Sequence, residues 1–200
     1  GIDPDKLKII TTQMVSIKNQ NQRFKLSTRK NQLVTLKELI DIVGTDACRY
    51  FFISRSPESQ MEFDMDLATK ESNDNPVYYI QYAHARTSNI LRTADEQNVD
   101  YSIYDLNLLK SESEISLIKK ILMLPELIDS IALYQQPHHL PHYTLDLANR
   151  FHSFYEKCRV LSNVVEEQDL TRARLQLVIA TKITLKSCLE LMGMSSPDRM

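Results

Sequence analysis

One segment constrains the fold of this chain most. It begins at Pro76 and reaches about Asp95 without a glycine or a second proline. Proline suits the first turn of a helix, where its missing N–H leaves no hydrogen bond unmade. Wound at about 3.6 residues per turn, the segment has one mostly apolar stripe, formed by Val77, Ile80, His84, Thr87 and Leu91. Such a stripe is typical of a helix that packs against other helices. We therefore expect a long helix here.

A second stripe of the same helix carries Tyr78, Tyr82, Arg86 and Asn89. Aromatic rings stack on unpaired bases, and arginine offers a planar set of donors to base edges or phosphates. The same spacing is also typical of half-buried tyrosines with solvated hydroxyls beside a solvated arginine. From these residues alone, an RNA-binding stripe and an ordinary packing surface both remain open.

Glycine is scarce, which excludes two kinds of nucleotide-binding loop. The chain of 200 residues has only Gly1, Gly44 and Gly193, too scattered for a glycine-rich dinucleotide turn or a Walker phosphate loop. The formal net charge of −2 gives no overall attraction to nucleic acid or to an anionic membrane. Any binding to nucleic acid must therefore come from a local patch.

The cysteines indicate the redox compartment of the protein, and the first residues indicate whether the chain is a piece of a longer one. Cys48, Cys158 and Cys188 are far apart and form no C-x-x-C pair, so we expect buried thiols in a reducing cytosol and no structural zinc. We expect neither a signal peptide nor a membrane span, because no leader pattern or apolar run near 18 residues is present. The opening Gly1-Ile-Asp-Pro lacks an initiator methionine and suggests a piece of a longer protein.

The first third of the chain has mixed patterns. Residues 7–17 alternate and are followed by a polar turn, which predicts a hairpin or two edge strands. Thr35 and Glu38 form a capping-box pattern that opens a helix, and Gly44 suits its end. A second helix restarts at Thr45.

From about residue 66 the patterns predict an antiparallel helix bundle. Asp64 and Asp66 suit the N-cap position of its first helix, and Pro125 should bend or split the third. The predicted helices cover residues 66–75, 76–94, 113–136, 144–162 and 169–192.

Two polar segments have open interpretations. Residues 24–32 carry three cations and two hydroxyls, which suits a polyphosphate-binding loop or a charged surface turn. The segment 137–142 contains His138, His139 and His142, which suits metal ligands or a solvent-exposed loop. No triad order, paired carboxylates or nucleophilic cysteine stands out in the bundle, so its chemistry indicates a binding module.

Several blocks, in order, resemble the C-terminal part of the arginyl-tRNA synthetase family. They are Lys25-Leu-Ser-Thr-Arg-Lys30, Val43-Gly-Thr-Asp-Ala-Cys-Arg-Tyr-Phe-Phe52, Asn75-Pro-Val-Tyr-Tyr-Ile-Gln-Tyr-Ala-His-Ala-Arg86 and Arg172-Ala-Arg-Leu175. The resemblance covers nearly the whole chain and implies a mainly α fold. In it, residues 1–65 are the tail of the catalytic domain with a tRNA stem-contact region, and residues 66–200 are an all-α anticodon-binding domain. The end at Met200 is similar to the family's natural C-terminus.

The resemblance implies a class I, cytoplasmic ligase that joins arginine to its tRNA through an arginyl-adenylate, using ATP with Mg²⁺. The catalytic nucleotide fold would lie upstream, so this chain alone is predicted to be inactive, with no cofactor bound. The implied partners are tRNA(Arg), and arginine and ATP through the missing part, but neither DNA nor a membrane. The alternative is a helical protein-interaction module without nucleic-acid binding, and a third hypothesis is a metal hydrolase built on the three histidines.

The resemblance also implies roles for particular residues. The second ATP motif of the family, a mobile loop that steadies the triphosphate, would comprise Lys25, Ser27, Arg29 and Lys30. Thr28 occupies the position of the motif's second lysine, and Asn31 replaces the usual glycine. The positions around the anticodon would be Tyr78, Tyr82, Arg86, Tyr155, Arg159 and Met200. No metal site is implied.

Overall fold

The fold is mainly α-helical, with a small sheet in its first third. The computed structural model describes residues 3, 7, 9–19, 22–25 and 35–200, with only the backbone at 19 and 22–25. The strands are β1 (Val15–Asn19), β2 (Gln22–Lys25) and β3 (Met61–Asp64). The helices are α1 (Leu36–Val43), α2 (Thr45–Ile53), α3 (Met65–Ala68), α4 (Pro76–Glu96), α5 (Glu112–Leu122), α6 (Leu124–Tyr134), α7 (His139–Lys157) and α8 (Gln168–Leu191).

The sheet has the order β2-β1-β3. β1 and β2 pair antiparallel, so of the two expected arrangements the hairpin forms, although β1 begins only at Val15 and not near residue 7. β3 pairs parallel with β1 and places Phe63 beside Ile17. Both of these side chains are buried, and Lys18 forms an ion pair with Asp64 at 3.1 Å. The patterns did not predict β3, because a strand of four residues is too short to show a period and its partner is distant in sequence.

The predicted caps of the first helices are confirmed. Thr35 Oγ1 accepts from the Glu38 N–H at 3.2 Å, and Glu38 Oε2 accepts from the Thr35 N–H at 2.7 Å. Gly44 has a φ of 84°, a left-handed value that favours glycine, and it separates α1 from α2. Asp64 caps α3 by accepting from the Leu67 N–H at 3.0 Å.

The first predicted bundle helix is much shorter than residues 66–75. α3 spans Met65–Ala68 only, because Asn75 turns the chain and starts the next helix. The Asn75 side chain donates to the carbonyls of Ala68 and Lys70 and accepts from the Val77 N–H at 3.1 Å. Asparagine is favoured at the N-cap for this reason.

The bundle buries the predicted stripe of α4. This helix packs against α7 and α8, α5 packs against both of them, and α6 packs on α7. Val77, Ile80, His84 and Thr87 are buried, and Leu91 packs at the edge of the core. The other two central helices contribute fully buried side chains, among them Leu147, Phe151, Phe154, Val178, Leu185 and Leu189.

The start of α7 differs from the prediction. The expected loop 137–142 is partly helical, since α7 begins at His139. Pro141 lies in its first turn, where an N–H has no acceptor within the helix, so proline does not break it. Thr144, the first residue of the predicted helix, therefore lies inside α7, and its buried hydroxyl donates to the Leu140 carbonyl at 2.7 Å. α7 also ends at Lys157, before the expected residue 162, because Cys158 is extended.

Pro125 and the last helix give mixed outcomes. The predicted split at Pro125 is confirmed, because α5 and α6 separate at Met123. α8 begins at Gln168, one residue before the predicted start, so Asp169 lies inside its first turn. Leu191, the last residue of α8, is 60% exposed, and Gly193 ends the helix region with a φ of 68°.

An unpredicted ion pair lies inside the bundle. Arg174 Nε donates to Glu114 Oε1 at 2.7 Å, and Glu114 is only 1% exposed. Glu114 also accepts from the Ser111 N–H in the capping box of α5. Arg174 Nη1 donates further to the Arg159 carbonyl at 2.9 Å, so one guanidinium joins α5, α8 and the chain after α7.

The cysteines and the apolar length of the helices can be compared with the expectations. Cys48, Cys158 and Cys188 are buried free thiols, as predicted. No helix in the described ranges is both long and apolar enough to cross a membrane.

Candidate nucleic-acid interface

The second stripe predicted for α4 is present, and its residues Tyr78, Tyr82 and Arg86 contact one another in a row. The rings of Tyr78 and Tyr82 are nearly parallel, at 7°, with centroids 6.2 Å apart. Arg86 Nη2 donates to the Tyr82 hydroxyl at 2.6 Å, and its guanidinium carbon lies 4.8 Å from the Tyr82 ring centroid. Residues four apart share one face of a helix, so the local spacing alone explains the alignment.

α7 adds a second ring to Arg86. The guanidinium carbon lies 5.0 Å from the ring centroid of Tyr155, so Arg86 is placed between two aromatic rings. Such cation–π contacts contribute about 0.5–1 kcal/mol each at exposed sites. Tyr155 is 38% exposed, and Tyr78, Tyr82 and Arg86 are half-buried, so the row is open to solvent while held in place.

His152 completes this surface, and the sequence analysis did not identify it. Its ring stacks on Tyr82 with centroids 5.9 Å apart and contacts Tyr79 at 4.7 Å. Burial, and secondly the charge of Arg86, lower the pKa of His152 to about 4, so the ring is neutral near pH 7. Its position three residues before Tyr155 on α7 was the available signal.

Two pockets meet at Arg86. The first, of about 790 Å³, is lined by aromatic rings and is called here the aromatic pocket; its rings are Tyr78, Tyr79, Tyr82, His152 and Tyr155. The second, of about 610 Å³, is called the cationic pocket and has three arginines on its wall, Arg86, Arg92 and Arg199. Tyr82, Arg86 and Tyr155 line both pockets, so they form the wall between them.

The cationic pocket also contains the last residues of the chain. Asp198, Arg199 and Met200 line it, and Met200 is 54% exposed. The guanidinium of Arg92 already has two partners on its own helix, since it donates to Asn89 and lies 4.0 Å from Glu96. Met200 therefore lines the same pocket as Arg86 and Tyr82, whereas Asp198 and Arg199 were not among the expected positions.

Arg159 lies apart from both pockets. It is exposed, and its Nε donates to the Leu161 carbonyl at 3.1 Å. Together with Tyr155 it borders a smaller cavity of about 290 Å³. Of the six expected positions, five thus border the two pockets, and Arg159 borders a different one.

The residues expected to contact ATP are mostly outside the described ranges. Lys25 is the last residue of β2, and only its backbone is described. Ser27, Arg29 and Lys30 lie outside the described residues, as do Thr28 and Asn31. Their roles therefore stay predictions.

The histidines of residues 138–142 do not converge on one point. The rings of His138 and His139 contact each other at 4.2 Å, while His142 Nε2 lies 3.1 Å from the Ser54 carbonyl. Among the residues that the structure describes, no three histidine, cysteine or acidic side chains are arranged to hold a metal ion.

The sequence of this chain is similar to those of known proteins. Residues 80–200 match the family model of the DALR anticodon binding domain. Over its whole length the chain is 49% identical to an arginine–tRNA ligase of Dehalococcoides mccartyi and 45% identical to one of Citrifermentans bemidjiense. The chain spans only 35% and 36% of those two proteins.

Solved structures show the same fold. A Campylobacter jejuni protein named as an arginyl-tRNA synthetase superposes with a TM-score of 0.83 and 29% identity, over 100% of this chain and 42% of that one. The arginyl-tRNA synthetase of Thermus thermophilus superposes with a TM-score of 0.69 and 27% identity, over 88% of this chain and 29% of the other.

Proposed function

Because the chain belongs to the DALR anticodon-binding domain family, we propose that it binds the anticodon loop of tRNA(Arg) as part of an arginine–tRNA ligase. One observation carries the proposal. Arg86 is held between the rings of Tyr82 and Tyr155 on the wall shared by two open pockets, inside the matched region. The helical protein-interaction module and the metal hydrolase are not favoured, since the relatives are ligases that act on tRNA.

The two pockets suit different parts of a nucleotide. The aromatic pocket offers ring faces to a base that has left its stack, and such stacking contributes about 1–3 kcal/mol per base. A neutral His152 adds a further ring without a second positive charge beside Arg86. The cationic pocket suits the neighbouring phosphate, and Arg86 on the shared wall can donate to the base edge. We assign Tyr78, Tyr82, Arg86, Tyr155 and Met200 to this contact, and leave Arg159 as an outer contact.

Binding by the chain should depend on the anticodon sequence. We expect an anticodon stem-loop of tRNA(Arg) to bind more tightly than the same stem-loop with its central base replaced, by about 1–3 kcal/mol. Because the net charge is −2, only the local cations release counterions, so affinity should fall modestly with salt. Filter binding at several salt concentrations measures both effects. Equal affinity for the two stem-loops would contradict base recognition.

The ligase activity and the division of the chain are part of the same proposal. We place a boundary near residue 65, between the tail of a catalytic domain and the anticodon-binding domain. Supporting this, the sheet lies within residues 15–64, and the family match begins inside α4. In the complete ligase, arginine, ATP and Mg²⁺ would be used by the part outside this chain. Lys25, Ser27, Arg29 and Lys30 would steady the triphosphate, because ammonium and guanidinium groups bind phosphate oxygens strongly.

A substitution in the basic segment separates the ATP role from the tRNA role. In a full-length ligase containing this sequence, Lys30→Ala should slow arginyl-adenylate formation by about tenfold or more while tRNA affinity changes little. ATP–pyrophosphate exchange and filter binding measure the two quantities. Lys37→Ala, at an exposed lysine of α1, is the matched control. An unchanged exchange rate in Lys30→Ala would exclude the phosphate role.

A further inference from the structure

The segment after α8 crosses the face of α4 and is anchored along its length. Ser195 is the first anchor: its N–H donates to Asp46 Oδ1 at 3.2 Å, and its hydroxyl also bonds to Asp46. Gln81 donates to Asp46 at 2.7 Å and to the Ser195 carbonyl at 3.1 Å. The start of this segment is therefore held by α2 and α4 together.

The second half of the segment is anchored nearer the cationic pocket. The Pro197 carbonyl lies 2.9 Å from Nδ1 of the buried His84, which must donate because a carbonyl only accepts. Asp198 Oδ1 accepts from Ser88 Oγ at 2.7 Å and forms an ion pair with Lys182 at 3.0 Å. Ser88 and Lys182 belong to α4 and α8, so one carboxylate joins the segment to both helices.

Asp198 directly precedes the two residues that border the cationic pocket, Arg199 and Met200. We infer that Asp198 is a positioning residue: by binding Ser88 and Lys182, it fixes Arg199 and Met200 beside Arg86 for reading the anticodon loop. This inference rests on the proposed function, which it deepens. In this role Asp198 does not itself contact the RNA, and it acts only through Arg199 and Met200.

The charge of Asp198 gives this role a distinctive consequence. The carboxylate itself lines the cationic pocket, where an unpaired negative charge would repel a phosphate. The hydrogen bond from Ser88, followed by the contact with Lys182, lowers the pKa of Asp198 to about 2, so it stays ionised and paired near neutral pH. Removing the charge should therefore leave Lys182 without its ionic partner and, at the same time, release Arg199 and Met200. The freed ammonium group should attract every stem-loop alike. The positioning role is therefore measured by the ratio of the affinities for the two anticodon stem-loops, and not by the affinity for either one alone.

The test compares Asp198→Asn with Asp169→Asn in the whole chain. Asp169 is the matched control, because it is an exposed carboxylate of α8 that pairs with Arg172 on the same helix. Amide hydrogen exchange without RNA measures the order of residues 195–200. Binding to the two anticodon stem-loops measures the ratio of their affinities. We expect faster exchange at 195–200 and a ratio lowered about tenfold for Asp198→Asn, since the freed side chains must be ordered again on binding, and neither change for Asp169→Asn.

A double substitution makes the positioning role specific. Arg199→Ala should lower phosphate-dependent affinity in the unsubstituted chain but change little in the Asp198→Asn background, where the side chain is already released. Unchanged exchange at 195–200 in Asp198→Asn would overturn the inference, as would faster exchange with an unchanged affinity ratio. If the unsubstituted chain shows ordered exchange but no anticodon preference, the proposed function fails, and the role of Asp198 fails with it.

Discussion

Replacing Arg86 with alanine should remove most of the chain's preference for its own anticodon, a loss of about 1–3 kcal/mol in discrimination. The reason is geometric. The guanidinium is fixed by the Tyr82 hydroxyl and by the rings of Tyr82 and Tyr155, so it presents its donors in one orientation to either pocket. Lysine should not restore the preference, because an ammonium lacks the planar donor pair. Filter binding with paired stem-loops measures the loss.

Arg92→Ala is the control that removes a positive charge from the cationic pocket without removing the oriented guanidinium of Arg86. Arg92 lines the cationic pocket but does not lie between the rings. A phosphate contact should weaken all stem-loops alike and reduce the salt slope by about one. If Arg86→Ala behaved in the same uniform way, Arg86 would be a phosphate contact only. If it changed nothing, the shared wall of the two pockets would not be the reading site.

Replacing Arg174 with methionine should lower the free energy of unfolding by about 3 kcal/mol at pH 7, because it leaves the buried carboxylate of Glu114 without its charged partner. The lost bond to the Arg159 carbonyl adds to the effect. Urea unfolding followed by circular dichroism measures it. Arg172→Met is the matched control, since its ion pair with Asp169 is exposed and should contribute no more than about 0.5 kcal/mol.

The effect of Arg174→Met should also depend on pH. Burial acts to raise the pKa of Glu114, but the bonds from Arg174 and the Ser111 N–H hold it below the ordinary value of 4.5. A lowered carboxyl pKa stabilises the fold above the unfolded value, and the benefit is lost as pH falls through the folded value. In Arg174→Met the bond from Arg174 that lowers this pKa is lost and burial raises it, so Glu114 takes up its proton at a higher pH than in the unsubstituted chain. The difference between the two chains should therefore shrink as the pH falls from neutrality to below 4.5.

A second substitution separates the buried charge from simple loss of packing. Adding Glu114→Gln to Arg174→Met removes the unpaired charge, while glutamine still suits the capping box of α5. The double variant should be more stable than Arg174→Met alone. A double variant less stable than Arg174→Met alone would contradict the idea that the unpaired charge of Glu114 causes the loss of stability.

The local elements of the fold were predictable, because their causes lie within a few residues. The capping box at Thr35, the left-handed Gly44, the split at Pro125 and the buried stripe of α4 depend on neighbours in sequence. β3 was missed because its stability comes from pairing with β1, and the start of α7 was missed because two prolines there suggested a loop. In both cases the deciding contacts are absent from the local pattern.

The candidate site shows the same division. The spacing of Tyr78, Tyr82 and Arg86 already places them in one row, and the resemblance adds Tyr155 and Met200. His152 was missed because its place beside Tyr79 and Tyr82 requires α7 to pack on α4. The anchors of residues 195–198 were missed for a similar reason, since they join that segment to α2, α4 and α8.

The amino-acid sequence alone determined the helices, most of their ends and the row of rings ending in a guanidinium, because hydrogen bonds and side-chain spacing within a helix are short-range. Only the tertiary structure decided that this row faces two pockets, that Arg86 lies between rings from two helices, and that Asp198 ties the end of the chain to Lys182. Those arrangements depend on which helix faces meet. That outcome is set by burial of apolar surface over the whole bundle, so no single segment of the sequence contains it.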